Sequence, residues 1–473
     1  MSRLALREFH GFEAAGQRFL YLVPSAGVVR LDETSAAVLD SLSSGPRRRD
    51  EVLASLHGTF EAAPLDAAIT ELLQIRAIGP AAAPPEKTLK VLPSKQFPLT
   101  TMVLNVTSKC NLACTYCYEY GEDRVVEPTK PMPRFMDDAT ARQSVDFLFQ
   151  QSGENRVIYL NFFGGETLLN FPVLQRTLAY ARERGAETGK RVESSITTNG
   201  TLLKPEIIEW LAENDVTVTI SIDGPKEVQD QFRVFHSGKG SYDVMLPKVK
   251  ELLQRHTSRP IGARVTLTRD NLDVEGIFRH LTEEVGFQEV GFAPVTTSPG
   301  RDHAIGDDGY GRMLGQFQKL AQDFLEAAVE GRYHGFSNIK ETLEEIHKGV
   351  SKAYPCGAGL GLMGVATDGD VALCHRFAGS DDHRIGSVHD GIDAGRQAEF
   401  LDRHHVAHKT DCSRCWARPL CSGGCYHEAH VRYGDTGHAN LHYCDWIRSW
   451  THTCLEVYGA LAERRPEWLA RFD

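Results

Sequence analysis

The placement of the cysteines constrains this chain more than any other feature. Cys110, Cys114 and Cys117 form a C-x3-C-x2-C run, none follows until Cys356, and eight then fall between Cys356 and Cys454. The opening stretch MSRLALREFHGFEAAG lacks the apolar core of a signal peptide, and no run approaches the roughly 20 apolar residues of a membrane span. A cytoplasmic location with no membrane partner is therefore expected. In a reducing compartment, short-spaced cysteines argue for metal or redox chemistry over a disulfide framework, and the odd total of 11 leaves at least one unpaired. Three thiolates within eight residues can bind three irons of a four-iron cluster, whose ligation normally takes four. The open iron could then chelate the amino and carboxylate groups of a small molecule, and the cluster could pass an electron into a bound sulfonium. A zinc site completed by a distant histidine, or three buried cysteines with no ligand role, are the alternatives that spacing leaves open.

A chain of 473 residues is longer than one core usually supports, so two or three domains are expected. The net charge of −11 argues against nucleic acid as a partner. Residues 1–82 read as a separate unit, with two short apolar strands in RFLYLVPSAGVVRLD (18–32) and helical spacing in 32–42 and 64–78. Strands followed by short helices predict a winged-helix-like module. Proline-rich 83–98 reads as a linker. From 99 to 335 apolar β-rich runs at 101–106, 156–162, 191–198, 216–222, 261–267 and 288–295 alternate with helical stretches. That alternation predicts an α/β fold with a parallel sheet, here a partial (β/α)6 barrel with its chemistry at the C-terminal strand ends. A connecting helix is expected over 336–350. Residues 351–455, dense in glycine, cysteine and histidine, have little core of their own and need metal to fold. Residues 456–473 close the chain as a C-terminal helix or tail.

The three-cysteine motif on a loop after the first barrel strand resembles that of the radical S-adenosylmethionine (SAM) superfamily, and the resemblance continues along the chain. FFGGETLLN places Gly164, Gly165 and Glu166 at the GGE motif, which in the family binds the methionine amino group of SAM. SSITTNGTLL places Thr198 and Asn199, with Gly200, at the TNG segment, and VTVTISIDGP places Ser221 and Asp223, with Gly224, at the SIDG segment, both directed to the ribose and carboxylate. Arg233, in DQFRVF, stands where related maturases place a cofactor-carboxylate arginine. Taken singly, each glycine-containing strand end is most often only a turn; their order at successive strand ends is what carries the resemblance.

The tail reads C356-x17-C374, then C412-x2-C415-x5-C421-x3-C425, then Cys444. It resembles the SPASM domain, the two-cluster extension of peptide-modifying radical enzymes. By that resemblance Cys412, Cys415, Cys421 and Cys444 bind the second auxiliary iron–sulfur cluster, and Cys356, Cys374 and Cys425 the first. Three clusters are thus implied, all of the four-iron type, and the catalytic one rests on Cys110, Cys114 and Cys117. Seven tail thiols leave the first auxiliary cluster one ligand short, open to a substrate thiolate or to a non-cysteine ligand. Cys454, alone on an apolar helical stretch, reads as a core thiol. The tail histidines, among them His375, His404, His405, His408, His427, His430, His438 and His442, carry no assigned role.

The N-terminal unit resembles the leader-recognition module of enzymes that act on ribosomally made peptides, which adds an extended peptide to a sheet edge; a merely structural cap is the alternative. Within this family the words CNLACTYCYEYGED, CSGGCYHEAHVRYGD and NLHYCDWIRSW resemble maturases of quinohemoprotein amine dehydrogenase. That resemblance implies thioether cross-links between cysteine sulfurs and Asp or Glu methylene carbons of the dehydrogenase small subunit. In it a deoxyadenosyl radical, formed from SAM with an electron from a flavodoxin- or ferredoxin-type donor, removes the methylene hydrogen. Carbon–carbon cross-linking, formylglycine formation, and a zinc-stabilised peptide-binding scaffold are the competing readings.

Overall fold

A computed structural model describes residues 3–82, 97–119, 121, 123–124 and 131–473. The linker expected over 83–98 lies almost wholly outside the described residues.

The N-terminal unit comprises β1 (Leu4–Leu6), β2 (Phe9–Ala14), β3 (Gln17–Leu22), β4 (Gly27–Leu31), α1 (Glu33–Leu42), α2 (Arg49–Leu56), α3 (Ala62–Gln74) and β5 (Ile78–Pro80). Strands β2, β3 and β4 form an antiparallel meander, and β1 pairs with β5. The Asp32 carboxylate caps α1 by accepting from the Ser35 amide at 2.6 Å. Helix α2 was not expected, because Val52 is its only buried residue and leaves no periodic stripe. Alternation along the meander gives it two apolar faces. Leu20, Leu22 and Leu31 pack on the unit's own helices, whereas Phe12, Phe19 and Tyr21 belong to the main core of the protein. The unit read as separate is therefore joined to the rest by a buried face, reinforced by a Glu8–Arg418 ion pair and a His10–Trp416 ring stack at 3.6 Å.

The barrel follows as β6 (Thr101–Asn105), α4 (Asp138–Gln151), β7 (Val157–Phe163), α5 (Phe171–Thr188), β8 (Arg191–Thr198), α6 (Pro205–Glu213), β9 (Thr217–Ser221), α7 (Lys226–Phe232), α8 (Tyr242–Arg255), β10 (Gly262–Leu267), α9 (Val274–Arg279) and β11 (Glu289–Pro294). Its six strands are parallel and lie side by side in chain order, as the alternating runs predict. Helices α10 (Asp307–Glu330) and α11 (Ser337–His347) then lead to the tail.

The tail departs from expectation. It contributes β12 (Leu362–Val365), β13 (Asp370–Ala372), β14 (Arg384–Ser387) and β15 (Gly391–Ile392), which extend the barrel sheet to ten strands. β12 runs parallel to β6, with Leu362 opposite Thr101 and Val365 opposite Leu104. A partial barrel leaves the backbone groups of its first strand unpaired, and β12 satisfies them. Short helices α12 (Ala394–His404), α13 (Arg418–Cys421) and α14 (Tyr426–Tyr433) carry the cysteine-rich loops, and α15 (Cys444–Arg464) and α16 (Pro466–Leu469) end the chain. α15 starts at Cys444 and packs on α10, α11 and β2, so the boundary expected between 455 and 456 falls inside one continuous helix. Among the described residues no helix is long and apolar enough to cross a membrane.

At Gly364 on β12 a Cβ would overlap the backbone joining Cys374 to His375. Gly364→Ala is expected to cost about 1–3 kcal/mol through this overpacking, read as a lower thermal midpoint, with iron lost from the tail rather than from the barrel.

Candidate active site

The loop after β6 that carries Cys110, Cys114 and Cys117 is held from two sides. On one, the Gly165 amide donates to the Thr107 carbonyl at 3.0 Å and the Glu166 amide to the Lys109 carbonyl at 2.8 Å. A Cβ on Gly164 would overlap the Thr107 carbonyl, one on Gly165 the Lys109 carbonyl, and Gly164 also holds φ at +126°. The cysteine loop makes a close approach that needs these glycines. On the other side, the Ala113 and Thr115 amides donate to the Val234 and Phe232 carbonyls at 2.7 and 3.1 Å, and the His236 ring meets the Cys110 carbonyl at 3.0 Å.

Glu166 is buried behind this loop. Its carboxylate accepts from the Thr198 hydroxyl at 2.6 Å, the Asn199 amide at 2.8 Å and the Leu168 amide at 3.0 Å, tying the end of β7 to that of β8. Burial pushes its carboxyl upward, against those three donors. Asn199 passes the tie onward, its side chain donating to Asn111 at 3.0 Å and lying 3.9 Å from the Cys110 sulfur. A second buried network centres on Asp223, which accepts from Arg233 Nε at 3.0 Å, from the Thr266 amide at 3.0 Å and from the Tyr116 hydroxyl. Asp223 thereby fixes the Arg233 guanidinium beside Cys114.

These elements enclose a cavity of about 1020 Å³ at the C-terminal ends of the barrel strands. Cys110, Cys114, Cys117, Gly164, Gly165, Thr198, Asn199, Ser221 and Arg233 all stand on its wall. Glu166 and Asp223 do not; they position the groups that do. Asn111, Tyr116, His236 and Arg264 are further residues of the wall or its support that sequence reasoning missed, since the first two are spacers of the cysteine run and the others lie outside the motifs.

Residues 104–279 match the Radical SAM superfamily. This stretch is a radical SAM domain. Across the longer chain the protein is similar to the serine-type anaerobic sulfatase-maturating enzyme of Bacteroides thetaiotaomicron, 26% identical over 371 residues that cover 73% of this chain and 86% of that protein. It is also similar to the cysteine-type anaerobic sulfatase-maturating enzyme of Clostridium perfringens, 27% identical over 360 residues, 69% of this chain and 89% of the other. The solved structure of native anSMEcpe with bound AdoMet has the same fold, with a TM-score of 0.65 and 21% identity over 77% of this chain and 100% of that one.

In the radical SAM domain, burial pushes the Cys110 thiol up to about 12, with Glu166 and its two companion cysteines adding to the effect against the Leu112 amide. Cys114 is raised too, first by burial, despite the nearby Arg233. Thiols in such a setting ionise only when a cation replaces the proton, which is the behaviour of a metal-ligand set. Cys110, Cys114 and Cys117 could therefore hold a cluster whose unligated iron faces the cavity.

The tail thiols fall into two electrostatically coupled sets. Cys374 is pushed up to about 12 by burial, then by Cys425 and Cys356, and Cys356 is raised by burial and by Cys425. Cys412 is pushed up to about 11 by burial, against Lys409, with Cys421, Cys415 and Cys444 adding to it. Three thiols could hold one auxiliary cluster and four the other. Among the described residues no three His, Cys, Asp or Glu side chains are close enough to grip a single metal ion; a four-iron cluster spaces its thiolates wider than one zinc does. Cys454 is fully buried on α15 and belongs to neither set. His375 and Arg376, next to Cys374, reach the barrel cavity, and Arg376 donates to Thr296 at 3.0 Å and lies 4.5 Å from the centre of the Tyr118 ring. His427 has both ring nitrogens buried without a hydrogen-bond partner.

Past the cysteine loop, Asp123 accepts from the Ser298 amide at 3.1 Å, the Ser298 hydroxyl at 2.8 Å, Arg301 Nε at 3.0 Å and the Thr297 hydroxyl. Burial pushes its carboxyl up, but the donors from Thr297, Ser298 and Arg301 outweigh it and hold the group at about 2. A lowered folded value gives stability that is complete above the unfolded value of 3.8 and is lost as pH falls toward 2. Asp123→Asn is expected to melt below the wild type at neutral pH, with the difference closing between about pH 4 and about pH 2 in thermal melts.

Gly165→Ala is expected to displace the Lys109–Cys110 backbone. Iron per chain should fall by about four of about twelve, and the electron paramagnetic resonance signal that SAM perturbs should vanish while the tail signals persist.

Proposed function

We propose that this chain is a peptide-modifying radical SAM maturase that closes thioether bonds between cysteine sulfurs and the methylene carbons of Asp or Glu. By resemblance its substrate is the small subunit of quinohemoprotein amine dehydrogenase, presented with a leader segment. The observation that carries this reading is the division of the tail thiols. Cys356, Cys374 and Cys425 are one thiol short of full cluster ligation, which suits an iron that takes a substrate thiol. Cys412, Cys415, Cys421 and Cys444 make a complete set.

When bound, the catalytic cluster and SAM supply a radical that abstracts hydrogen, with the electron drawn from a flavodoxin- or ferredoxin-type donor. The chain's own residues do the rest. Gly164 and Gly165 seat the cysteine loop, and Glu166 locks that seat to Thr198 and Asn199. Asp223 and Tyr116 hold Arg233 on the cavity wall, where a guanidinium suits the cofactor carboxylate. Arg376, two residues after Cys374 of the first auxiliary set, lines the cavity from the tail side. The N-terminal meander, fastened to the tail through Trp416 and Arg418, would add a leader segment as a further strand and raise the substrate's local concentration.

Formylglycine formation is the second reading, favoured by the similarity to sulfatase-maturating enzymes over about seven-tenths of the chain. One experiment separates the two. A candidate cysteine-containing subunit is co-expressed anaerobically with the protein, beside a Cys114→Ala control, and examined by mass spectrometry. Thioether formation predicts loss of two hydrogens per cross-link, a cysteine no longer open to alkylation, and no reaction with an aldehyde-specific hydrazide. A hydrazide-reactive product would favour formylglycine, and an unmodified subunit beside iron-loaded enzyme that cleaves SAM would remove the choice of substrate.

A further inference from the structure

Arg264 is a cation on the lumen side of the barrel. Along β10, Ala263, Val265 and Leu267 are buried against the helices, so alternation turns Gly262, Arg264 and Thr266 to the lumen, where all three line the cavity. Register places Arg264 directly between Ser221 on β9 and Gly291 on β11. Its neighbours are small. A Cβ on Gly291 would stand 3.3 Å from Arg264 Nη1 and 2.7 Å from the Ser337 hydroxyl, so glycine there leaves the guanidinium room to move. No hydrogen bond or ion pair to the Arg264 side chain is present among the described residues, although the side chain is open to the cavity.

The electrostatics point the same way. Burial pulls the Arg264 guanidinium below its ordinary range; Glu341 on α11 opposes this from beyond ion-pair distance, and Arg376 across the lumen adds to it. The wall also carries Lys109, Glu119, Glu289 and Glu341, and its two other arginines differ in kind from Arg264. Arg233 already has Asp223 as its counterion, and Arg376 is oriented by Thr296 and Tyr118. Arg264 is exposed within the cavity, so water solvates it there, and a ligand carboxylate would replace that water with a charge-assisted pair. Arginine's planar fork matches a carboxylate with two parallel hydrogen bonds.

We infer that Arg264 is the carboxylate receptor of the active site and that the carboxylate it grips belongs to the acidic side chain undergoing modification. It is thus a specificity-determining residue, selecting Asp or Glu over Asn or Gln and fixing the methylene carbon in the cavity. The inference rests on the reading of the chain as a peptide-modifying enzyme. The carboxylate of SAM is the other source of the same chemistry, since Ser221 lies on the adjacent strand.

The test uses anaerobically reconstituted protein with SAM bound, in wild-type, Arg264→Gln and Arg264→Lys forms. The probes are N-acetyl-glutamate methylamide and N-acetyl-glutamine methylamide, followed by ligand-observed nuclear magnetic resonance titration. Wild type should prefer the acid by about tenfold or more. Arg264→Gln should abolish that preference and Arg264→Lys restore part of it, with iron content and SAM affinity unchanged within about twofold. The proposal is overturned if the acid preference survives in Arg264→Gln, or if SAM affinity falls with it, which would assign the guanidinium to the cofactor. It is overturned too if Glu341→Gln lowers the melting temperature as Arg264→Gln does while probe binding is untouched, the mark of an internal ion pair. An Arg264-dependent acid preference in protein that leaves the co-expressed subunit unmodified would keep the receptor and refute the thioether reading instead.

Discussion

The contact between the end of β7 and the cysteine loop is the interaction on which the rest of the site depends. Gly164 and Gly165 let the Thr107–Cys110 backbone lie against the strand end at a distance that any side chain would block, and two amide-to-carbonyl bonds hold it there. Glu166 then turns that local seat into a tie across the sheet. One buried carboxylate takes donors from β8 and from its own turn, and through Asn199 and Asn111 the same tie returns to the loop beside Cys110. A buried carboxylate left without donors would be expelled or protonated. With three donors it instead fixes the relative height of two strand ends and of the thiols above them.

The thiols impose the complementary constraint. In each set a thiol, Cys110, Cys374 or Cys412, is pushed up by burial and by neighbouring thiols, so the protein alone favours its neutral form. Ligand ionisation then comes from the metal, and metal binding contributes to folding. For the tail this matters most, because its regular structure is short. Its fold relies on two anchors, pairing of β12 with the open edge of the barrel at β6 and packing of α15 against α10, α11 and β2. The first anchor is adjacent to Cys374 in sequence and position, so the barrel edge and the first auxiliary set depend on the same few residues around Gly364.

How much was legible in the sequence follows from how each feature encodes itself. The six barrel strands were readable because buried parallel strands are near-continuous apolar runs broken by amphipathic helices, and each run found its strand. The clustering of the cysteines was readable as spacing, whereas the division of the tail thiols into two sets is what the resemblance to the SPASM domain implies. β12 was not, since LMGV is four residues among glycines and acquires strand character only from the edge of β6. The packing of Gly164 and Gly165 on the cysteine loop was not readable for a related reason: a motif says that backbone comes close, but not which backbone. Arg264, in GARVTL, reads as a polar residue on a half-exposed strand; only closure of the barrel makes its face an interior.

The contrast between Arg233 and Arg264 shows how one cavity can separate two carboxylates. Both guanidinium groups line the cavity, but Arg233 is buried, bonded to Asp223 and stacked near Tyr116, a pair of fixed orientation and small net charge. Such a group offers its remaining donors in one direction at little electrostatic cost, which suits a ligand that is always present. Among the described residues Arg264 makes no ion pair, and its neighbours on both adjacent strands are small, so its side chain is not fixed in position. A site of that kind gains most when an anion arrives and least when a neutral amide does, because only the anion supplies a counter-charge. Discrimination between an acid and its amide therefore requires an arginine that the protein itself has left unpaired.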